Sequence, residues 1–285
     1  MTPPVVGWHE SFRPADPILL PGGGASRESP GSRKRLPVPI PLLPPSITAC
    51  LFDLDGVLTD TARVHAAAWT EMFDAFLEQR ARETGESFHP FTPDDYLRYV
   101  DGRLREDGVR AFLESRQIDL PEGSGDDPPT ATTVHGLASR KNDLVLAVMA
   151  RDGIVTFPGS IRFVDAVLAA GLRSAVVSAS KNTAAALETA GIGDRFEARI
   201  DGIVAAERHL PGKPAPDTYL AGAEALGVPA AHCAVFEDAV AGVEAGRAGD
   251  FGYVVGVDRA GRADALMAAG ADIVVADLAE LLEGT

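Results

Sequence analysis

Lysine is almost missing from this chain. Of 26 cationic residues only four are Lys (Lys34, Lys141, Lys181 and Lys213), the rest being Arg, so each Lys asks for a reason. Positive charge is scarce altogether, with 26 Lys and Arg against 41 Asp and Glu and a formal net charge of -15. That excludes nucleic acid as a main partner, because neutralising a phosphate backbone needs a basic face. No apolar run approaches the ~18 residues of a membrane helix, so no membrane partner is expected. Cysteine is down to Cys50 and Cys233, in separate apolar runs. Two such residues read as buried thiols in a reducing compartment, and a cytoplasmic location is expected. The six His show no H-x-H or H-E-x-x-H pairing, which argues against a zinc site.

What is present is a globular composition, 46% hydrophobic and 24% charged over 285 residues. Residues 1–46 stand apart. They hold 11 of the 21 Pro, the run Gly22-Gly23-Gly24 and the basic cluster Arg33-Lys34-Arg35. Such a segment cannot bury enough apolar area to offset its ordering entropy, and it is expected as a disordered tail. It lacks the continuous apolar stretch of a secretory signal.

From Ile47 the pattern changes. Short apolar runs at 47–54, 173–178, 233–236, 253–257 and 272–275 have the character of buried parallel strands. Helical patterns at 162–170, 182–190, 217–226 and 239–248 separate the later ones. Strand and helix in alternation predict an α/β fold with a doubly wound parallel sheet. Residues 63–153 break the rhythm: Val64, Ala68, Phe73, Phe76 and Leu77 recur at helical spacing, as do later groups, with no strand between. This predicts an inserted α-helical cap over 63–153, with the core made of 47–62 and 154–285. Insertions at a strand's carboxyl end lie where open α/β sheets bind ligands, so the cap is expected to act as a lid.

The first strand closes on Phe52-Asp53-Leu54-Asp55-Gly56. Period-two alternation puts both carboxylates on one side, where they repel by a few kcal/mol at an effective dielectric of ~20. A shared proton or a metal ion would hold them together. A second acidic pair, Glu237-Asp238, ends another apolar strand and favours the metal. Up to four carboxylates converging with Lys213 as the counter-charge describe an oxygen-ligand site for Mg2+.

These residues resemble motifs of the haloacid dehalogenase (HAD) superfamily of phosphotransferases. Asp53-Leu54-Asp55-Gly56-Val57-Leu58-Thr59-Asp60-Thr61 resembles the first motif and Ser178-Ala179-Ser180-Lys181-Asn182 the second, in the form of its β-phosphoglucomutase-like subfamily. Lys213-Pro214-Ala215-Pro216-Asp217 resembles the third, and Glu237-Asp238 with Gly242 the fourth, all in family order. The resemblance implies Asp53 as a nucleophile forming an aspartyl-phosphate and Asp55 as general acid and base. It implies Mg2+ held by Asp53, the Asp55 carbonyl and Asp238, with Glu237 beside them. Ser178, the Ala179 amide and Lys213 would cradle the transferring phosphoryl group, which suits a reaction run on positioning and charge neutralisation.

In the cap, Thr61 and His65 resemble positions that set Asp55 on closure, and Lys141 resembles a lid lysine. Gly102 and Arg105 resemble a loop gripping the substrate's other phosphate, with Ser180, Lys181 and Asn182 across from it. The subfamily commonly carries Lys before that Gly; here it is Asp101, with Arg103 two residues on. A second phosphate grip favours a mutase, which must turn a bisphosphate around behind a lid that excludes water. The resemblance therefore implies interconversion of β-glucose 1-phosphate and glucose 6-phosphate by a monomer, the partner being a small phosphorylated sugar. A sugar-phosphate phosphatase sharing every core residue is the alternative. A phosphoacceptor signalling module would need neither the lid nor Asp55.

Overall fold

The computed structural model describes residues 40–283, so most of the expected tail, with Lys34, lies outside it. Six strands form one parallel sheet: β1 (Ala49–Phe52), β2 (Arg173–Val177), β3 (Ala198–Ile200), β4 (Cys233–Glu237), β5 (Tyr253–Val257) and β6 (Ile273–Val275), in the order β3-β2-β1-β4-β5-β6. The chain winds outward from β1 in both directions, which places the topological switch point between β1 and β4.

Alternation along β1 explains why the sheet is covered on both faces. Cys50 and Phe52 pack into one cluster with Phe163, Val176 and Phe236, while Ala49 and Leu51 pack into another with Val177, Tyr219 and Val235. The Phe52 and Phe236 rings stack at 4.6 Å across neighbouring strands. The two cysteines fall in opposite clusters, both free and buried, which agrees with thiols and not a disulfide.

Five helices come between β1 and β2, the first four being α1 (Ala62–Thr84), α2 (Pro93–Asp95), α3 (Arg105–Ser115) and α4 (Val134–Asp152). A π-helical turn, Tyr96–Val100, follows α2. Helices α1, α3 and α4 share a separate cluster around Trp69, Phe73, Phe91, Phe112 and Leu137. Gly85 ends α1 in the left-handed conformation at φ 75, and Thr92 with Asp95 forms a capping box that starts α2. The sheet is flanked by α5 (Pro158–Ala169), α6 (Thr183–Thr189), α7 (Gly202–Glu207), α8 (Asp217–Leu226), α9 (Val240–Ala248) and α10 (Ala263–Ala268).

Two details differ from the sequence reading. Residues 40–46, expected in the tail, fold back on the core: Leu43 N donates to Ile40 O at 3.1 Å, and both side chains are buried in the Phe52 cluster. Two apolar residues three apart on one turn supply the buried area that the Pro-rich text before them lacks. The edge strand β3 was not expected, because three residues interrupted by the exposed Arg199 carry no apolar run.

Candidate active site

Strand register builds the site. Phe52 lies opposite Val176 on β2 and Phe236 on β4, so Asp53 emerges level with Val177 and Glu237. Asp53 N still donates to Phe236 O at 3.0 Å, which fixes its backbone at the switch point. Gly56 follows at φ 88, and a Cβ there would lie 1.9 Å from Asp238 Oδ2, so only glycine lets the Asp238 carboxylate settle over this turn.

Asp53, Glu237 and Asp238 are all buried, and their carboxylates offer oxygens within 4.8 Å of one another. Lys213 faces two of them: its Nζ lies 2.5 Å from Asp53 Oδ1 and 2.5 Å from Glu237 Oε1. Glu237 is fully engaged, since it also accepts from Tyr219 Oη at 3.0 Å and Ala239 N at 3.1 Å. Burial by itself would lower the Lys213 ammonium, but Asp53 and Glu237 outweigh it and hold the proton on. Burial raises the carboxyls of Asp53 and Asp238, with their acidic neighbours adding to the effect. Three carboxylates around one ammonium leave excess negative charge. Asp238 makes no side-chain hydrogen bond among the described residues, so its oxygens are uncommitted. Hard oxygen donors in excess of cations fit a divalent ion such as Mg2+, with Asp53 and Asp238 to hold it and Glu237 behind.

All four acidic residues line one cavity, and three of them form this tight cluster. Asp55 turns away toward the cap, where the Thr61 hydroxyl donates to its Oδ1. The Thr59 hydroxyl donates to Leu54 O at 3.1 Å and lies 2.7 Å from the Thr61 hydroxyl. His65 Nε2 is 3.7 Å from the same oxygen, and His65 Nδ1 is 2.9 Å from Lys141 Nζ. Burial, with Lys141 beside it, lowers His65 to about 4, so the ring is neutral. Below about pH 7, where Lys141 is an ammonium, its donation to Nδ1 leaves the ring hydrogen on Nε2, facing Asp55.

Lys141 is buried with its Nζ 4.9 Å from the Trp69 ring. Burial, then Arg105, lowers it from 10.5 to about 7. The unfolded chain therefore holds this proton between about pH 7 and 10.5 while the folded chain does not, and the group makes stability rise with pH across that window. Lys141→Met should remove the rise and stabilise the protein near pH 6.5 by about 2–4 kcal/mol. Urea midpoints at pH 6.5 and 9.5 check it; the same pH slope in both proteins would refute it.

Cap and core enclose a cavity of about 70 Å3. Asp53, Asp55, His65, Glu237 and Asp238 line it with Gly102, Arg103, Arg105, Lys141, Ala179, Ser180, Lys181 and Asn182, while Thr61, Ser178 and Lys213 stand just behind. Arg105 Nε is buried with no hydrogen-bond partner, an open donor at the cap end. Ser178 Oγ accepts from Ser180 N at 3.1 Å, shaping the loop after β2. Sequence reasoning missed four participants. Glu106 pairs with Lys181 at 2.7 Å, Asn142 accepts from Asn182 Nδ2 at 2.8 Å, and Trp69 and Tyr96 form wall, the Tyr96 hydroxyl facing Asp101. Asn142 follows Lys141 in the same motif and could have been read there; Trp69 and Tyr96 look like ordinary helix core.

A family model described as haloacid dehalogenase-like hydrolase matches residues 47–250. A β-phosphoglucomutase of Mycobacterium bovis is 57% identical over 245 residues, covering 84% of this chain and 93% of that protein. An uncharacterized glycosyl hydrolase of Mycobacterium tuberculosis is 38% identical over 237 residues, 83% of this chain but 18% of that protein. Among solved structures, a β-phosphoglucomutase from Clostridium difficile matches with a TM-score of 0.65 at 26% identity, covering 82% of this chain and 93% of that one.

Proposed function

This chain belongs to the HAD-like hydrolase family, in its β-phosphoglucomutase-like branch, as an enzyme of the phosphomutase or hydrolase kind, and from that premise we propose that it interconverts β-glucose 1-phosphate and glucose 6-phosphate. The observation that carries the reading is one cavity between cap and core with cations toward both ends: Lys213 behind Asp53, and Arg105 with Lys181 toward the cap. A phosphatase needs only the first group. A mutase needs the second to hold the phosphate that is not reacting. The M. bovis relative supports the sugar phosphate.

Asp53 would attack the phosphorus of a sugar bisphosphate, breaking the bond to the sugar oxygen while Asp55 supplies that oxygen with a proton. The glucose 6-phosphate so formed would leave, and β-glucose 1-phosphate would enter with its free hydroxyl toward Asp53. Asp55 would take the proton from that hydroxyl as it attacks the aspartyl-phosphate, which restores Asp53 and forms a bisphosphate that turns around to give up its other phosphate. Ser178, the Ala179 amide and Lys213 hold the transferring group; Gly102, Arg105, Ser180, Lys181 and Asn182 hold the other. Thr61, His65 and Lys141 keep Asp55 aimed. Asp53, the Asp55 carbonyl and Asp238, with Glu237 behind, would hold Mg2+, whose charge neutralises the phosphoryl oxygens. Residues 63–153 act as the lid that excludes water.

The test is incubation with β-glucose 1-phosphate, Mg2+ and a catalytic amount of glucose 1,6-bisphosphate. Glucose 6-phosphate should form with little inorganic phosphate. Stoichiometric phosphate with no glucose 6-phosphate would replace this reading with the phosphatase.

A further inference from the structure

Asp101, on the cap, is half of an ion pair with the core. Its Oδ2 accepts from Arg262 Nη1 at 3.1 Å, across 161 residues of sequence. Asp101 ends the π-helical turn of the cap, and Arg262 stands at the start of α10 in the core. The Arg262 fork also reaches Asp238 O at 3.3 Å, so one guanidinium ties the cap to the loop carrying the uncommitted carboxylate.

The same short cap segment touches the core twice more. A Cβ on Gly102 would lie 2.9 Å from Ala239 Cβ, and a Cβ on Gly212 would lie 2.6 Å from Leu104 Cγ. Segment 101–104 is therefore seated on both core loops that matter, one ending in Lys213 and one beginning at Asp238. The cavity beneath holds about 70 Å3, well below the roughly 300 Å3 at which small-molecule sites begin. A sugar phosphate therefore needs more room than this arrangement of cap and core leaves. The other cap-to-core contacts use Lys181 and Asn182, groups that a bound phosphate would claim. Asp101 also lines the cavity, while its partner Arg262 stands outside the lining and holds Asp101 from the core side.

We propose that Asp101 and Arg262 are a positioning pair that latches segment 101–104 onto the Asp238 loop and so sets how completely the reacting site is shut from water. Without Arg262, Asp101 would face Asp238 and Glu237 with no counter-ion, and a buried unpaired carboxylate pushes the segment open. The link to water exclusion rests on the phosphoryl-transfer reading above; the latch does not.

Two measurements separate those claims. Hydrogen exchange of amides 101–104 in the ligand-free full chain should accelerate about tenfold in Arg262→Gln, while the sheet amides stay protected. The charge-swapped protein, Asp101→Arg with Arg262→Asp, should return toward wild type, whereas Arg262→Asp alone should not. Unchanged exchange in Arg262→Gln, or equal exchange in the swap and in Arg262→Asp alone, would overturn the latch. Should Arg262→Gln fail to fold, Asp101→Asn, a near-isosteric change, reads the same exchange. The second measurement is the share of β-glucose 1-phosphate converted to inorganic phosphate. It should rise about fivefold in Arg262→Gln and fall back in the swap. Fast exchange without a change in that share would keep the latch and remove its role in excluding water.

Discussion

Replacing Lys213 by Arg should lower turnover about a thousandfold although the net charge does not change. The reason is the shape of the charge. The Lys213 ammonium has three hydrogens and three oxygens around it: Asp53 Oδ1 at 2.5 Å, Glu237 Oε1 at 2.5 Å and Val177 O at 3.3 Å. Its fourth side is covered by the Tyr219 ring, 4.9 Å away, and the residue is 3% exposed. A planar guanidinium is longer and wider than this space. It can enter only by displacing Asp53, Glu237 or Tyr219. The backbone cannot retreat either, because Gly212 already abuts Leu104 of the cap. Overpacking of this kind costs about 1–3 kcal/mol, so the protein should still fold. The loss should therefore appear in kcat and in the rate at which Asp53 is phosphorylated, measured in a single turnover. Turnover within a few fold of wild type would mean that Lys213 is only a bulk charge and would undercut the phosphoryl-cradle role.

The same residue shows why so much of the site was legible. A chain that uses Arg for its solvated surface leaves its few Lys where a compact buried cation is wanted, and Lys141 and Lys213 are both almost fully buried. Asp53 was legible because an apolar strand must end before a carboxylate can reach water, and the parallel register then carries Glu237 to the same level. What escaped has no local signature. Arg262 meets Asp101 only after the sheet has folded, and nothing in Gly261-Arg262-Ala263 announces a partner. Glu106 reads as a solvated helix residue until Lys181 is brought beside it. The reorientation of Asp55 was hidden for a related reason: alternation predicts the side of a strand, but β1 ends at Phe52, and beyond that point the Thr59–Thr61 turn decides where Asp55 faces.

That reorientation makes Asp55→Asn the sharpest separation of chemistry from binding. Asn is nearly isosteric and its amide oxygen can still accept from Thr61, so the turn and the cavity should keep their shape. What it cannot do is hand a proton to a leaving sugar oxygen or take one from an attacking hydroxyl. General acid–base catalysis contributes roughly a hundredfold to ten-thousandfold per step, and here one residue serves both half-reactions. Sugar-phosphate turnover should therefore fall by about three to four orders of magnitude. Because Asp55 lies outside the Asp53, Glu237 and Asp238 group, the carboxylates proposed to hold Mg2+ should be undisturbed. Phosphorylation of Asp53 by acetyl phosphate, whose leaving group needs no proton, should then persist in Asp55→Asn. Loss of both reactions together would assign Asp55 to the integrity of the site and not to proton transfer. Retention of sugar-phosphate turnover would remove the acid–base role altogether and leave Asp53 as a phosphoacceptor of the signalling kind.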